Sequence, residues 1–302
     1  MIGGVIVAYY PDKEQFLSVV QAALNDLDFL LVVNNGEAPI TIITDILAMS
    51  IDKKKFEIIE NSQNLGIAKA LNIGLKILIE KGCSYFLMLD QDSLVPKNMV
   101  STLLNSLEKL NSGDTKVAAI GPAYFNSRLN KFAPFIQFGK MSLKKIEIDQ
   151  KIEVTQTHFL ITSGTLLTLD AIQNIGLMEE GLFIDYVDTE WCLRALSKGY
   201  KLYGDSGVIM EHSLGDNPLV LLGWRFPMHS PLRHYYLVRN AIHLIRKSYI
   251  PLNWRFIIFW RMLRSFIFYS LIPENRSEHF KKMKLGLSDG LAGVLGRMNE
   301  RA

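Results

Sequence analysis

Short apolar, β-branched runs alternate with stretches whose apolar residues recur at helical spacing along the first third of the chain. Residues 5–9, 29–33, 56–60 and 85–89 read as buried strands. Residues 13–27, 40–49, 67–79 and 99–110 read as the helices that follow them, and 117–120 as a fifth strand closed by Gly121-Pro122. This alternation predicts an α/β fold, a Rossmann-like, mostly parallel sheet with flanking helices on both faces. Beyond Tyr124 the pattern loosens, and 124–156 reads as an inserted β region. Residues 187–198 form a helix stopped by Gly199, with short strands at 201–203 and 208–210. From Arg233 the chain is helical and aromatic, over 233–248 and 254–271, and ends in a basic tail from Arg276. The expected organisation is a catalytic domain over 1–222 and a C-terminal helical appendage over 223–302.

Polar clusters close the four parallel strands: Tyr9-Tyr10, Asn34-Asn35-Gly36, residues 61–66, and Asp90-Gln91-Asp92. Carboxyl ends of parallel strands share one edge of a sheet, where ligands of such folds bind. Asp90 and Asp92, one residue apart, suit Mg²⁺ or Mn²⁺ bridging the phosphates of a nucleotide diphosphate, though Asp-x-Asp is also an ordinary turn. Tyr9, Asn34, Asn35, Asn64 and Gly66 are candidates for base and ribose contacts, the glycine permitting close backbone approach; each also reads as a plain loop residue. No Gly-x-Gly-x-x-Gly follows the first strand, and no Gly-x-x-x-x-Gly-Lys is present, which disfavours dinucleotide and P-loop readings.

Asp185, Asp188 and Glu190 crowd a helix start among Phe183, Tyr186 and Trp191. Acids there cap a helix and complement its dipole. Three of them with interleaved aromatics also suit a sugar pocket with a general base, Asp188 first and Asp185 second. His212, after a strand-like run, is a further candidate for the metal or diphosphate site, or a structural histidine.

A net charge of +3 in 302 residues gives no support for nucleic acid as a partner. Cys83 and Cys192 form no zinc or disulfide pattern, and no secretion leader is visible, so a cytoplasmic protein is expected. Arg255, Arg261 and Arg264 interrupt the apolar stretch 254–271 and leave too little to span a bilayer. It reads either as a helix in the membrane interface, peripheral on the inner face of the cell membrane, with Lys281, Lys282 and Lys284 near anionic headgroups, or as a helix packed in a homodimer or core.

With these residues in view, the chain resembles the inverting family-two glycosyltransferases of GT-A fold, and within them a bacterial rhamnosyltransferase branch. The resemblance rests on Ile161-Thr-Ser-Gly-Thr-Leu-Leu, on the run from Gly181 through Phe-Ile-Asp-Tyr-Val-Asp-Thr-Glu-Trp-Cys-Leu-Arg to Gly199-Tyr, on Ala8-Tyr-Tyr-Pro, on Asn64-Leu-Gly-Ile-Ala, on Leu89-Asp-Gln-Asp-Ser, and on Arg233-His-Tyr-Tyr-Leu-Val-Arg-Asn. It implies a nucleotide-sugar donor, dTDP-L-rhamnose, transferred with inversion to a saccharide or polyprenyl-diphosphate-linked acceptor in surface polysaccharide (O-antigen or similar) synthesis. It implies Asp90 and Asp92 as metal ligands and Asp188 as base. The chain departs from the pattern at Val187, where an acid often precedes the base, and at Asn34, where an Asp commonly meets the base ring. The alternatives are another nucleotide sugar in the same family, or a non-catalytic nucleotide-sugar-binding protein.

Overall fold

Strands β1 (Ile2–Ala8), β2 (Phe29–Asn34) and β4 (Tyr85–Asp90) form because their runs are apolar on both faces, as a parallel sheet covered on both sides requires, and β3 (Phe56–Glu60), with Glu57 and Glu60, is the edge strand beside them. Val5, Val7, Leu31 and Val33 pack toward α2 (Ile67–Glu80), while Ile6, Ala8, Leu30 and Val32 pack toward α1 (Lys13–Asp26) and α3 (Met99–Asn111). Asp12 caps α1 by accepting the Gln15 amide at 3.0 Å. The structure, a computed structural model, describes residues 1–36, 54–113, 115–126, 130–139, 143–149, 153–211, 219–221, 224–226 and 228–299. The helix expected over 40–49 lies outside the described residues.

The main sheet runs β3-β2-β1-β4-β10-β5-β11-β9, with β6 (Lys131–Ala133) paired to β5. Strand β5 is Val117–Asn126, β9 Val154–Thr157, β10 Thr165–Thr168 and β11 Lys201–Glu211. β10 lies antiparallel to both β4 and β5, a reversal that the β-α pattern did not foretell. β5 runs past Gly121-Pro122 instead of stopping there. Its ladder to β11 jumps from Asp205↔Pro122 to Ile209↔Ala123, so a bulge lies at the proline, which has no amide to donate. The two short strands expected at 201–203 and 208–210 are therefore one bulged strand. A separate hairpin joins β7 (Phe135–Phe138) to β8 (Leu143–Ile146), and a second pairs β12 (Leu219–Leu221) with β13 (Trp224–Phe226).

Helices α4 (Leu169–Ile175) and α5 (Val187–Ser197) precede β11. The chain ends in α6 (Pro231–Ile245), α7 (Leu252–Leu271) and α8 (Arg276–Ala292), so the basic tail is a helix. Among the described residues, no helix is long and apolar enough to cross a membrane.

Candidate active site

Register places the strand-end clusters side by side: Ala8 pairs with Asn34, Asn34 with Glu60, and Val7 with Asp90. Asn35 is buried and ties the cluster together. Its amide nitrogen donates to Asn64 Oδ1 at 3.1 Å, and its Oδ1 accepts from Asn61 Nδ2 at 3.2 Å and from the Leu65 amide at 3.0 Å. Asn64 Oδ1 also accepts the Gly66 amide at 2.9 Å. The side chains of Asn35 and Asn64 thus shape the 61–66 loop, and Asn34 is buried beside them. Gly66 has φ of +84°, and a Cβ there would come within 2.6 Å of the Phe183 ring. The close approach expected at Gly66 is therefore made by Phe183. Tyr9 is exposed, its amide donating to Gln91 Oε1 at 2.7 Å.

The Asp90–Ser93 segment is anchored on every side. The Asp90 amide donates to Ser163 Oγ at 3.2 Å, Ser93 Oγ meets Ser163 Oγ, and Gln15 Nε2 donates to the Asp92 carbonyl at 2.8 Å. These ties fix the backbone that carries both carboxylates. Asp90 is partly buried while Asp92 is exposed. Desolvation first, then the charges of Asp92 and Asp188, push Asp90 up to about 7. The Tyr124 hydroxyl, raised by burial and then by Asp90 and Asp188, donates to the Ser163 carbonyl at 2.6 Å. Asp90, Asp188 and Tyr124 therefore share one electrostatic neighbourhood, bridged by residues 161–165.

Crowded carboxylates of one sign suit a divalent cation, and the hard oxygens of Asp90 and Asp92 suit Mg²⁺ or Mn²⁺. Among the described residues, no three His, Cys, Asp or Glu side chains converge to cage a metal unaided. That fits a site completed by substrate phosphate oxygens and water. His212 lies outside the described residues.

Asp188 opens α5. Burial raises it to about 6, offset in part by the Thr189 amide, which donates to its Oδ1 at 2.7 Å, with Asp185 raising it further. It lines a small, mostly apolar cavity with Leu160, Thr162, Thr165, Trp191 and Cys192. The other acids have separate partners. Asp185 takes a two-pronged ion pair from Arg233, with contacts of 3.0–3.1 Å. Glu190 is fully buried and paired with Arg194 at 2.7 and 2.8 Å, and it also accepts the Tyr249 hydroxyl at 2.5 Å. The aromatics divide likewise. Phe183 stacks on Tyr236 at 5.0 Å, Trp191 Nε1 donates to the Gly176 carbonyl, and Tyr186 lines a cleft of about 330 Å³ with Asp185, Phe159, Trp254 and Arg261. The expected pocket of three acids and three aromatics is thus divided: Asp188 and Trp191 line the small cavity, Asp185 and Tyr186 line the larger cleft, and Phe183 and Glu190 pack in the core.

The backbone before Asp188 is strained: Phe183, Asp185 and Tyr186, none of them glycine, have φ of +65°, +62° and +63°. Such residues each cost on the order of 1 kcal/mol or more and persist only where surroundings hold them. Here α6 holds them. Asn240, fully buried, donates Nδ2 to the carbonyls of Leu182 (3.0 Å), Ile184 (2.8 Å) and Asp185 (3.0 Å). Arg239, also fully buried, donates to the carbonyls of Gly181 and Leu182 at 3.0 and 2.8 Å and to that of Gly296. Glu179, which burial alone would raise, is held down to about 2 by His243 and Lys247 of the same region. From the other side, Asn72 of α2 exchanges bonds of 2.9 Å with the Met178 backbone. Sequence reasoning assigned no role to Arg239 or Asn240. The available signal was that both close the Arg233-His-Tyr-Tyr-Leu-Val-Arg-Asn run on which the resemblance partly rests.

A polar strand edge bearing Asp90 and Asp92, joined through residues 162–165 to the cavity of Asp188, is the candidate site of this GT-A-like fold. The glycosyl transferase family 2 model matches residues 5–176, and the chain belongs to that family. It is 35% identical over 98% of its length to the dTDP-rhamnosyl transferase RfbF of Shigella flexneri, covering 97% of that protein. Among solved structures it resembles GalNAc-T7 with UDP, GalNAc and Mn²⁺ (TM-score 0.60, 14% identity, 97% of this chain and 58% of that one). It also resembles S. aureus TarS 1–349 in complex with UDP-GlcNAc (TM-score 0.59, 12% identity, 97% and 81%). The protein is a glycosyltransferase.

Proposed function

We propose that this glycosyltransferase transfers L-rhamnose from dTDP-L-rhamnose, with inversion, to a saccharide or polyprenyl-diphosphate-linked acceptor in surface-polysaccharide synthesis. The observation that carries the reading is that one short segment borders both acids: Ser163 Oγ accepts the Asp90 amide, and Thr162 and Thr165 line the cavity that holds Asp188. The rhamnosyl donor is supported by the similarity to RfbF along nearly the whole chain. Buried free thiols at Cys83 and Cys192 fit a reducing cytoplasm.

The nucleotide lies along the ends of β1, β2 and β3, near Tyr9 and Asn34, in the groove that Asn35, Asn64 and Gly66 shape. Asp90 and Asp92 would hold Mg²⁺ or Mn²⁺ against the diphosphate; the bound ion supplies neutralisation of charge on the leaving group. Asp188, ionised above about pH 6, takes the proton of the acceptor hydroxyl as that oxygen attacks the anomeric carbon. The bond from that carbon to the diphosphate oxygen breaks on the opposite face, so the configuration inverts. Asp185, neutralised by Arg233, positions the strained turn that presents Asp188.

Thermal melting against a panel of nucleotide sugars, with and without Mn²⁺, tests the donor. The largest shift is expected with dTDP-L-rhamnose, together with slow release of dTDP that chelation stops and Mg²⁺ or Mn²⁺ restores. A larger shift and turnover with a different nucleotide sugar would replace the donor and keep the site.

A further inference from the structure

Helix α7 has two faces of opposite chemistry. With successive residues about 100° apart, Leu252, Phe256, Phe259, Trp260, Ile267 and Leu271 share one side, and all six are exposed, Phe256 to 62% and Trp260 to 52%. The opposite side presents Trp254 and Arg261 to the cleft beside Asp185 and Tyr186. Its 20 residues include no Asp or Glu. A helix on the surface of a soluble domain normally turns its polar residues outward; this one turns out a stripe of aromatic and aliphatic side chains ~30 Å long. The stripe continues onto α8, where exposed Phe280 packs edge-on against Phe266, ring centres 5.9 Å apart. Arg276, Lys281 and Lys284 stand exposed around Phe280. Between residues 252 and 292 there are seven Lys and Arg and three acids, of which Asp289 is buried against Tyr235.

We propose that the outer face of α7, flanked by the cations of α8, docks in the plane of a bilayer surface containing anionic lipid. A two-fold contact between copies would set the same cationic patch against itself. Anionic headgroups instead neutralise those charges while the aromatic side chains enter the headgroup boundary. Arg255, Arg261 and Arg264, distributed along the helix, keep it at the surface rather than across the membrane. The wall of the cleft then rests on lipid, and its mouth sits about one helix diameter, ~10 Å, above the surface. There, an acceptor tethered to lipid meets the cleft lined by Asp185, Tyr186 and Thr189. The inference goes beyond the proposed reaction and is tested without donor or acceptor, so either can fail alone.

The full chain, purified without detergent, is sedimented with vesicles of phosphatidylcholine alone or mixed with phosphatidylglycerol. Binding to the anionic vesicles is expected, weaker by roughly tenfold on neutral ones, with a blue shift of tryptophan emission on binding. Phe256→Ser with Trp260→Ser should cut that binding by roughly tenfold or more while the melting temperature is kept. Lys281→Glu with Lys284→Glu, which leaves the apolar face intact, should lose the preference for anionic lipid. Two results would overturn the proposal. One is no sedimentation with either vesicle; the other is a dimer in analytical ultracentrifugation that Phe256→Ser with Trp260→Ser converts to monomer without vesicle binding in the parent protein.

Discussion

The two halves of the site are held by different means. On the proposed donor side, Asn35, Asn61 and Asn64 satisfy one another and their own loop within about thirty residues, and the positive φ values beside them fall on glycines, Gly36 and Gly66. On the base side, three left-handed residues precede Asp188 and are held by Arg233, Arg239 and Asn240, 48 to 58 positions away. The first arrangement is local and self-contained. The second imposes strain for position and depends on a remote helix.

The largest expected effect falls on the base. Asp188→Asn keeps the shape and the acceptor for the Thr189 amide, so nucleotide-induced melting shifts should persist while transfer falls by roughly 10³-fold or more. Turnover within tenfold of the parent would remove Asp188 from the chemistry. Next comes the clamp. Asn240→Ala takes a donor from the carbonyls of Ile184 and Asp185, while Arg239 still serves that of Leu182, with an expected loss of about 1–3 kcal/mol in urea unfolding. Residual folded protein should show a lower kcat at nearly unchanged donor KM. An equal effect on both halves of the site would erase the contrast drawn here.

The pH dependence follows from Asp188, raised to about 6 from 3.8. As the proposed base it must be ionised, so kcat/KM should climb as pH rises through about 6. Stability moves the other way. Between those two values the folded state binds the proton more tightly than the unfolded chain, so this group's contribution falls as pH rises and is fully lost above about 6. Asp188→Asn should therefore raise the unfolding free energy at pH 8 by on the order of 1–3 kcal/mol and change it little at pH 3. A melting curve for the variant that matches the parent at pH 8 would contradict the strain assigned to this carboxylate. The smallest effect belongs to the donor side: Asn35→Ala should cost about 1–2 kcal/mol and raise donor KM more than it lowers kcat, read from initial rates at varied nucleotide sugar.

Legibility in the sequence followed the same division. The four parallel strands and their helices came from runs of Val, Ile and Leu whose period is a local property, so β2 and β3 match their expected spans to within a residue. The crossing over of Thr165–Thr168 between β4 and β5 is a long-range pairing of four residues, too short to carry a period of its own. Gly121-Pro122 looked like a stop because a missing amide normally ends a strand; the bulge in β11 removes the need for it. The site residues were legible as residue types at strand ends. What each was bonded to was not: Glu190 looked like one more pocket acid, yet Arg194 one turn later draws it into the core. Gly66 signalled close approach without saying that Phe183 was the neighbour.

The order of these contacts along the chain has a bearing on synthesis. Asp188 leaves the ribosome well before Arg233, Arg239 and Asn240, and Gly296, which takes a hydrogen bond from Arg239, is later still. A nascent chain can therefore form the β1–β4 edge early, whereas the turn before Asp188 gains its last supports only when translation is almost finished. Premature termination before Arg233 would then remove all of these supports of the turn at once.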